Sequence, residues 1–139
     1  MELQNFAIDP DGISLNWQGH NLDLHNCYDF RSLRYELALR QVELVWQKSP
    51  QPWAATAPLA GLRLVFKNVH FFRVKECDAG FPFTEDDCLT GVSFHPVELR
   101  NDFDSLSVGF SSADDLTFFF QSEWGIKLNA DAATLVALD

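Results

Sequence analysis

The residue types with the most chemical potential lie close together near the amino terminus. His20, His25, Cys27, Tyr28 and Asp29 fall within ten residues, and such a set could bind a metal or activate a thiolate. On a strand, His25 and Cys27 would share one face because side chains alternate. Histidine and cysteine near a strand end usually pack or form hydrogen bonds. We therefore expect these residues to have a structural role rather than a catalytic one.

Two further sets resemble metal ligands in type but not in spacing. Cys77, Cys88 and His95 are separated by eleven and seven residues, which matches no common zinc finger or ribbon. The run Glu85-Asp86-Asp87 lacks the alternating order of an EF-hand loop. The three cysteines are odd in number and form no CxxC pair, which argues against a disulfide framework. We predict no metal and no cofactor.

Rings and carboxylates are mixed in the second half of the chain. Residues 76–139 hold thirteen acids against Arg100 and Lys127, whereas residues 1–75 are nearly neutral. If the rings are partly exposed, the mixture suits a basic protein partner and disfavours nucleic acid and anionic membranes. Otherwise each ring belongs to the core and each acid faces water. The predicted binding residues are Phe81, Phe83, Glu85, Asp87, Asp102, Asp104 and Trp124, with Phe103 and Glu123 beside them.

A second hypothesis comes from a different functional class. If the strands close into a barrel, its cavity could bind a small molecule or a substrate between Phe and Trp side chains. The polar groups that we expect in such a pocket are His25, Tyr28 and His95. A catalytic residue cannot be named on either hypothesis, and the absence of a recognisable catalytic motif favours a non-enzymatic interaction domain.

Apolar residues alternate with polar ones along most of the chain, which is the pattern of half-buried strands. Examples are Ile13, Leu15 and Trp17. Alternation returns at Leu62–Phe66, and after Asn68 it predicts a strand that changes its buried face. In the carboxyl-terminal part it predicts a β-meander through the strand positions Val92, Phe94, Leu106, Val108, Phe110, Leu116, Phe118, Phe120, Ile126 and Leu128.

Two segments leave their secondary structure open. From Leu33 to Trp46 a strand pattern explains seven apolar positions and a helix only three. We therefore predict two strands, or one strand with a bulge at Arg40-Gln41. Residues 132–138 fit either one helical turn or a last short strand.

The 139 residues suit a single domain, 1–139, that buries a sizeable core. Turn signals at near-regular spacing predict a mainly β fold with little helix: an antiparallel sandwich or a strongly curved, barrel-like sheet. The amino terminus lacks a basic region followed by an apolar run, and no apolar stretch reaches membrane-spanning length. We therefore expect a cytoplasmic protein.

The segment from Leu24 to Glu76 carries a resemblance. It begins with His25-Asn26-Cys27, continues through the alternating run to Trp46, and ends in LRLVFKNVHFFRV at 62–74. This order resembles a group of small bacterial β-rich proteins, some of which resemble immunity proteins encoded beside secreted toxins. The resemblance implies binding and blocking of a toxin, and it assigns no site residues.

Overall fold

The structure is a computed structural model that describes residues 1–103, 111 and 113–139. Within these residues the fold is mainly β, as the alternating pattern predicts. Short 3₁₀ turns lie at Pro52–Ala54, Phe83–Glu85 and Val97–Leu99. The strands are β1 (Glu2–Leu3), β2 (Ala7–Ile8), β3 (Ser14–Trp17), β4 (His20–Asp23), β5 (Tyr28–Glu36), β6 (Gln41–Lys48), β7 (Gly61–Lys75), β8 (Leu89–His95), β9 (Asp115–Phe120) and β10 (Gly125–Leu138).

The larger sheet runs in the order β5-β6-β7-β10-β9-β8 and is strongly curled. All neighbours along this path are antiparallel, and β1 adds a short parallel pairing to β10. A separate small sheet consists of β2, β3 and β4. The prediction of a strongly curved antiparallel sheet is therefore confirmed.

The pairing of β7 with β10 organises the sheet. It extends from Gly125 opposite Lys75 to Leu138 opposite Gly61. Residues 132–138 are consequently the end of a long strand, not a helical turn. The meander predicted for the carboxyl-terminal part agrees with the antiparallel pairing of β8, β9 and β10 in chain order. The further pairing of β10 with β7, which leaves β8 at the edge, was not predicted. Two strands of fourteen and fifteen residues satisfy more backbone groups together than either would beside the shorter β8.

The ambiguous stretch from Leu33 to Trp46 forms a hairpin of two strands, β5 and β6. Its turn occupies residues 37–40, so Leu37 and Leu39 are exposed rather than strand positions with a buried face. The predicted bulge at Arg40-Gln41 is replaced by this turn. In β7, Leu62, Leu64 and Phe66 are buried, and the buried face then changes to Val69 across Asn68, which has a positive φ of 53°.

The interior of the curled sheet is filled by aromatic and aliphatic side chains. Trp46 and Phe66 lie 5.7 and 6.3 Å from Phe118, measured between ring centroids. Leu15 and Leu22 of the small sheet belong to the same hydrophobic cluster.

The predicted strand Leu106–Phe110 lies outside the described residues. In the part of the chain that the structure describes, no helix has the length and hydropathy that a membrane span requires.

Candidate functional site

The predicted patch of rings and acids centres on residues Asp78–Asp87, which we call the acidic loop. Its two ends are fixed to the turn between β9 and β10. Asp78 N donates to the Ser122 carbonyl over 3.1 Å, and Ser122 Oγ donates to the Asp86 carboxylate. Trp124 Nε1 donates to the Asp86 carbonyl over 2.8 Å. The loop is therefore held against the sheet from both ends.

The four predicted rings divide into two exposed and two packed. Phe83 and Phe81 are 83% and 43% exposed. Trp124 stacks on Phe120, with ring centroids 4.1 Å apart and planes 13° from parallel. Phe103 is buried. Only Phe81 and Phe83 are therefore placed to contact a partner, and Trp124 supports the loop that carries them.

The carboxylates of the loop come together with Asp29 of β5. Phe30 N donates to the Asp87 carbonyl over 2.8 Å, which brings the start of β5 to the end of the loop. Burial raises the pKa of Asp29, and the nearby Asp87 charge raises it further. The pKa of the Cys88 thiol is raised by burial and then by Asp87, Glu85 and Asp29. These shifts report a locally negative electrostatic potential beside the exposed rings.

Asp102 and Asp104 do not extend this patch in the described structure. Asp102 lies in residues 96–103, on the other face of the sheet, where its carbonyl accepts a bond from Lys127. Asp104 lies outside the described residues. Glu123 is exposed in the turn that fixes the loop, and the acidic surface is therefore the loop together with this turn and Asp29.

The residues predicted for a small-molecule pocket are separated. His25 Nδ1 lies 2.6 Å from the Leu89 carbonyl at the start of β8. His95 ends the same strand, six residues and about 20 Å further on. Tyr28 is buried, and its hydroxyl accepts the Leu59 N–H over 3.1 Å. Each side chain has a structural role in a different place.

The cluster at 20–29 does not have the geometry that would activate a cysteine thiolate. Residues 24–27 form a turn rather than a strand. A carbonyl only accepts hydrogen bonds, so His25 Nδ1 carries its proton toward Leu89 and cannot take one from Cys88 Sγ at 3.6 Å. Burial raises the pKa of Cys27. Among the described residues, no three His, Cys, Asp or Glu side chains are arranged to hold a metal.

A buried polar layer that the sequence did not reveal covers the other face of β8, β9 and β10. Asp115 is fully buried and accepts bonds from Arg100 Nε and Nη2 over 2.9 and 3.1 Å. Asn129 Nδ2 donates to the same carboxylate over 2.9 Å. Arg100 belongs to residues 96–103, which cross over the sheet. The ion pair therefore fastens this segment to the sheet.

Lys127 strengthens the same attachment. Its fully buried ammonium group donates to the carbonyls of Leu99 and Asp102 over 2.8 and 2.5 Å. It also lies 5.1 Å from the centroid of the Phe103 ring. Burial lowers the pKa of Lys127, and the Asp115 and Asp102 carboxylates oppose that effect. The sequence shows Lys127 alternating with Ile126 and Leu128 as if it faced water, so only the overlying segment explains its burial.

A cleft of about 260 Å³ opens at the edge of this layer. Its lining includes Arg73, Asn101 and Phe103. Arg73 Nη1 donates to Asn101 Oδ1 over 2.7 Å, so part of its hydrogen-bonding capacity is already used inside the protein.

Comparison of the chain with protein-family models, with curated proteins and with solved structures finds no match.

Proposed function

We propose that the chain is a non-enzymatic interaction domain whose acidic loop binds a basic protein partner. The observation that carries the proposal is the exposure of Phe83, which leaves 83% of that residue in water on a loop fixed at both ends. A large ring held in solvent by a structured loop loses contact with water when a partner covers it. Aromatic anchors of this kind contribute strongly to binding free energy.

The charge around the loop supports a cationic partner. Residues 76–99 contain six acids and no Lys or Arg. Burial raises the pKa of the Cys88 thiol, and Asp87, Glu85 and Asp29 lie close enough to Cys88 to raise it further. Carboxylates at the rim of an interface mainly accelerate encounter and select the sign of the partner. Lysine or arginine next to an apolar side chain is the complementary chemistry.

The fixed conformation of the loop also favours binding. Bonds from Ser122 and Trp124 converge on Asp86, and Phe30 N binds Asp87. A surface that is ordered before binding loses less conformational entropy when the partner arrives. Residues 24–76 resemble a group of small bacterial β-rich proteins, and some members of that group resemble toxin-immunity proteins. If that part of the resemblance applies, the partner is a basic toxin.

Two features favour binding over catalysis or a small-molecule cavity. The pKa values of Cys27, Cys77 and Cys88 are all raised, whereas a nucleophilic thiol needs a lowered one. The alternative function needs an open cavity inside the curled sheet. In the described part of the chain that interior contains Trp46 and Phe118 packed together.

A labelled synthetic peptide of alternating lysine and leucine tests the proposal by fluorescence anisotropy. We expect binding that Phe83→Ser weakens by about tenfold or more, as for an anchor residue. Leu37→Ser changes a comparably exposed apolar residue at the other end of β5 and should leave the affinity unchanged. Glu85→Gln with Asp87→Asn should reduce the salt dependence of binding. Equal affinities for the Phe83→Ser and Leu37→Ser variants would refute the proposal.

A further inference from the structure

Trp53 is a third exposed ring, and it lies outside the acidic loop. In the described part of the chain, the exposed aromatic residues among the large hydrophobics are Phe81, Phe83 and Trp53, the last of which is 64% exposed. Trp53 belongs to the 3₁₀ turn Pro52–Ala54 between β6 and β7. Tryptophan is highly buried on average and is enriched among the residues that dominate binding energy.

The loop that carries Trp53 is fixed to the turn at residues 24–27. The indole Nε1 donates to the Asn26 carbonyl over 2.8 Å. Ser49 N, at the start of the loop, donates to the Cys27 carbonyl over 2.9 Å. The ring is therefore ordered before a partner arrives, which lowers the conformational entropy that binding costs.

The same turn at residues 24–27 also contacts the end of the acidic loop. Cys88 Sγ, directly after that loop, lies 3.9 Å from the His25 carbonyl oxygen. Cys88 N in turn donates to the Glu85 carbonyl over 3.3 Å, at the end of the 3₁₀ turn that begins at Phe83. Both loops that carry exposed rings are therefore in contact with one turn.

The exposed rings are close enough for one partner to cover them. Measured along these contacts, through residues 24–27 and Cys88, the indole nitrogen is at most about 20 Å from the Glu85 carbonyl. An interface of standard size covers about 800 Å² on each partner, a patch roughly 30 Å across. A buried aromatic side chain supplies about 150–250 Å², so Phe81 and Phe83 provide only part of such an interface.

We infer that the basic partner of the acidic loop also contacts Trp53, so that it presents two apolar contact points up to about 20 Å apart. The inference rests on the proposed function, because it extends the same surface. One apolar side chain of the partner covers Phe83 and another covers Trp53. The turn at residues 24–27 lies beneath the middle of the footprint.

The two ends of this surface differ in charge. Around Trp53 the charges are mixed, because burial and Asp23 raise the pKa of Cys27 whereas Lys48 lowers it. Lys48 Nζ also donates to the Ala55 carbonyl over 3.5 Å. The Trp53 end therefore contributes apolar area, and the carboxylates of the acidic loop select the sign of the partner. The partner that fits has its cations at the end that faces the acidic loop.

A longer lysine–leucine peptide, of about 18 residues and about 60 Å when extended, tests the inference by fluorescence anisotropy. We expect Trp53→Ser to weaken its binding by about tenfold without changing the salt dependence. Leu39→Ser is the control of matched exposure, at 65% against 64%, and should leave the affinity unchanged. Trp53→Phe keeps an apolar ring but loses the bond to Asn26, and should retain most of the affinity.

Acrylamide quenching of tryptophan fluorescence gives a second readout. The structure describes all four tryptophans, and Trp53 is exposed whereas the other three are buried or half-buried. Bound peptide should therefore reduce quenching in the unmodified protein and change it little in Trp53→Ser. Circular dichroism of each variant controls for folding.

The inference is overturned if Trp53→Ser binds the longer peptide as tightly as Leu39→Ser does. It is also overturned if Trp53→Phe binds as weakly as Trp53→Ser, because the hydrogen bond to Asn26 rather than the ring then matters. If Phe83→Ser weakens binding and Trp53→Ser does not, the inference fails and the proposed function stands. If neither variant weakens binding, both fail.

Discussion

Replacing Asp115 by asparagine removes the one charge that joins residues 96–103 to the sheet through Arg100. The carboxylate is fully buried and accepts bonds from Arg100 and Asn129. In Asp115→Asn the new amide group has to face one of those donors with a donor of its own. The variant therefore keeps the shape of the side chain but loses the ion pair and at least one hydrogen bond.

The magnitude follows from the burial of the two partners. Removing one member of a buried ion pair costs about 3–5 kcal/mol. The Arg100 side chain is 32% exposed, so water can still solvate part of its charge after the ion pair is lost. The expected cost therefore lies at the lower end of that range. We expect the free energy of unfolding to decrease by about 3 kcal/mol in urea denaturation.

Asp131→Asn is the matched control. Asp131 is exposed and accepts a bond from Asn68, and its replacement should change stability by only about 0.5 kcal/mol. A double-mutant cycle with Arg100→Met isolates the pair, and we expect a coupling energy above about 1 kcal/mol. A loss below about 1 kcal/mol in Asp115→Asn, or no coupling to Arg100, would refute the attachment of residues 96–103 to the sheet.

Three further predictions concern the same layer and the thiols. A Cβ at Gly125 would lie 2.8 Å from Phe103 Cδ1, so Gly125→Ala should lower the free energy of unfolding by about 1–3 kcal/mol; unchanged urea denaturation would contradict this close packing. The pKa of His95 is lowered from 6.5 by burial and by Lys127, so the unfolded chain binds the proton first and stability falls as pH drops below 6.5 toward the folded value. Thermal melts of His95→Gln should show a shallower fall over that range, and equal slopes would contradict the shift. All three thiols have raised pKa values, so iodoacetamide labelling should be slower than for a free cysteine at neutral pH, and rapid labelling near pH ~6 would contradict this.

Much of the fold could be predicted because burial on one side of a strand leaves a period of two in the sequence. That signal identifies β5, β6 and β7 and the face change at Asn68. It does not identify partners, so the insertion of β10 beside β7 was missed. The period of two also continues through the turn at residues 37–40, which is why Leu37 and Leu39 were predicted as strand residues.

The candidate site was predicted less completely because a strand has two faces. Thr117 and Lys127 alternate with core residues, which is the pattern of positions that face water, yet both are fully buried. Residues 96–103 cover Lys127, whose ammonium group donates to the Leu99 and Asp102 carbonyls. The position of that segment depends on long-range contacts with Asp115 and Lys127. Similarly, the sequence placed Phe83 and Trp124 in one patch, but only the structure separates an exposed ring from one stacked on Phe120.

An NMR titration of the isotope-labelled protein with the lysine–leucine peptide tests the central claim most directly. We expect amide shifts to concentrate in residues 78–88 and 121–124, which form and support the acidic loop, and we expect Phe83→Ser to require about tenfold more peptide to produce them. Shifts centred on the β8–β10 face near Lys127, or spread evenly over the acidic residues of the chain, would contradict it.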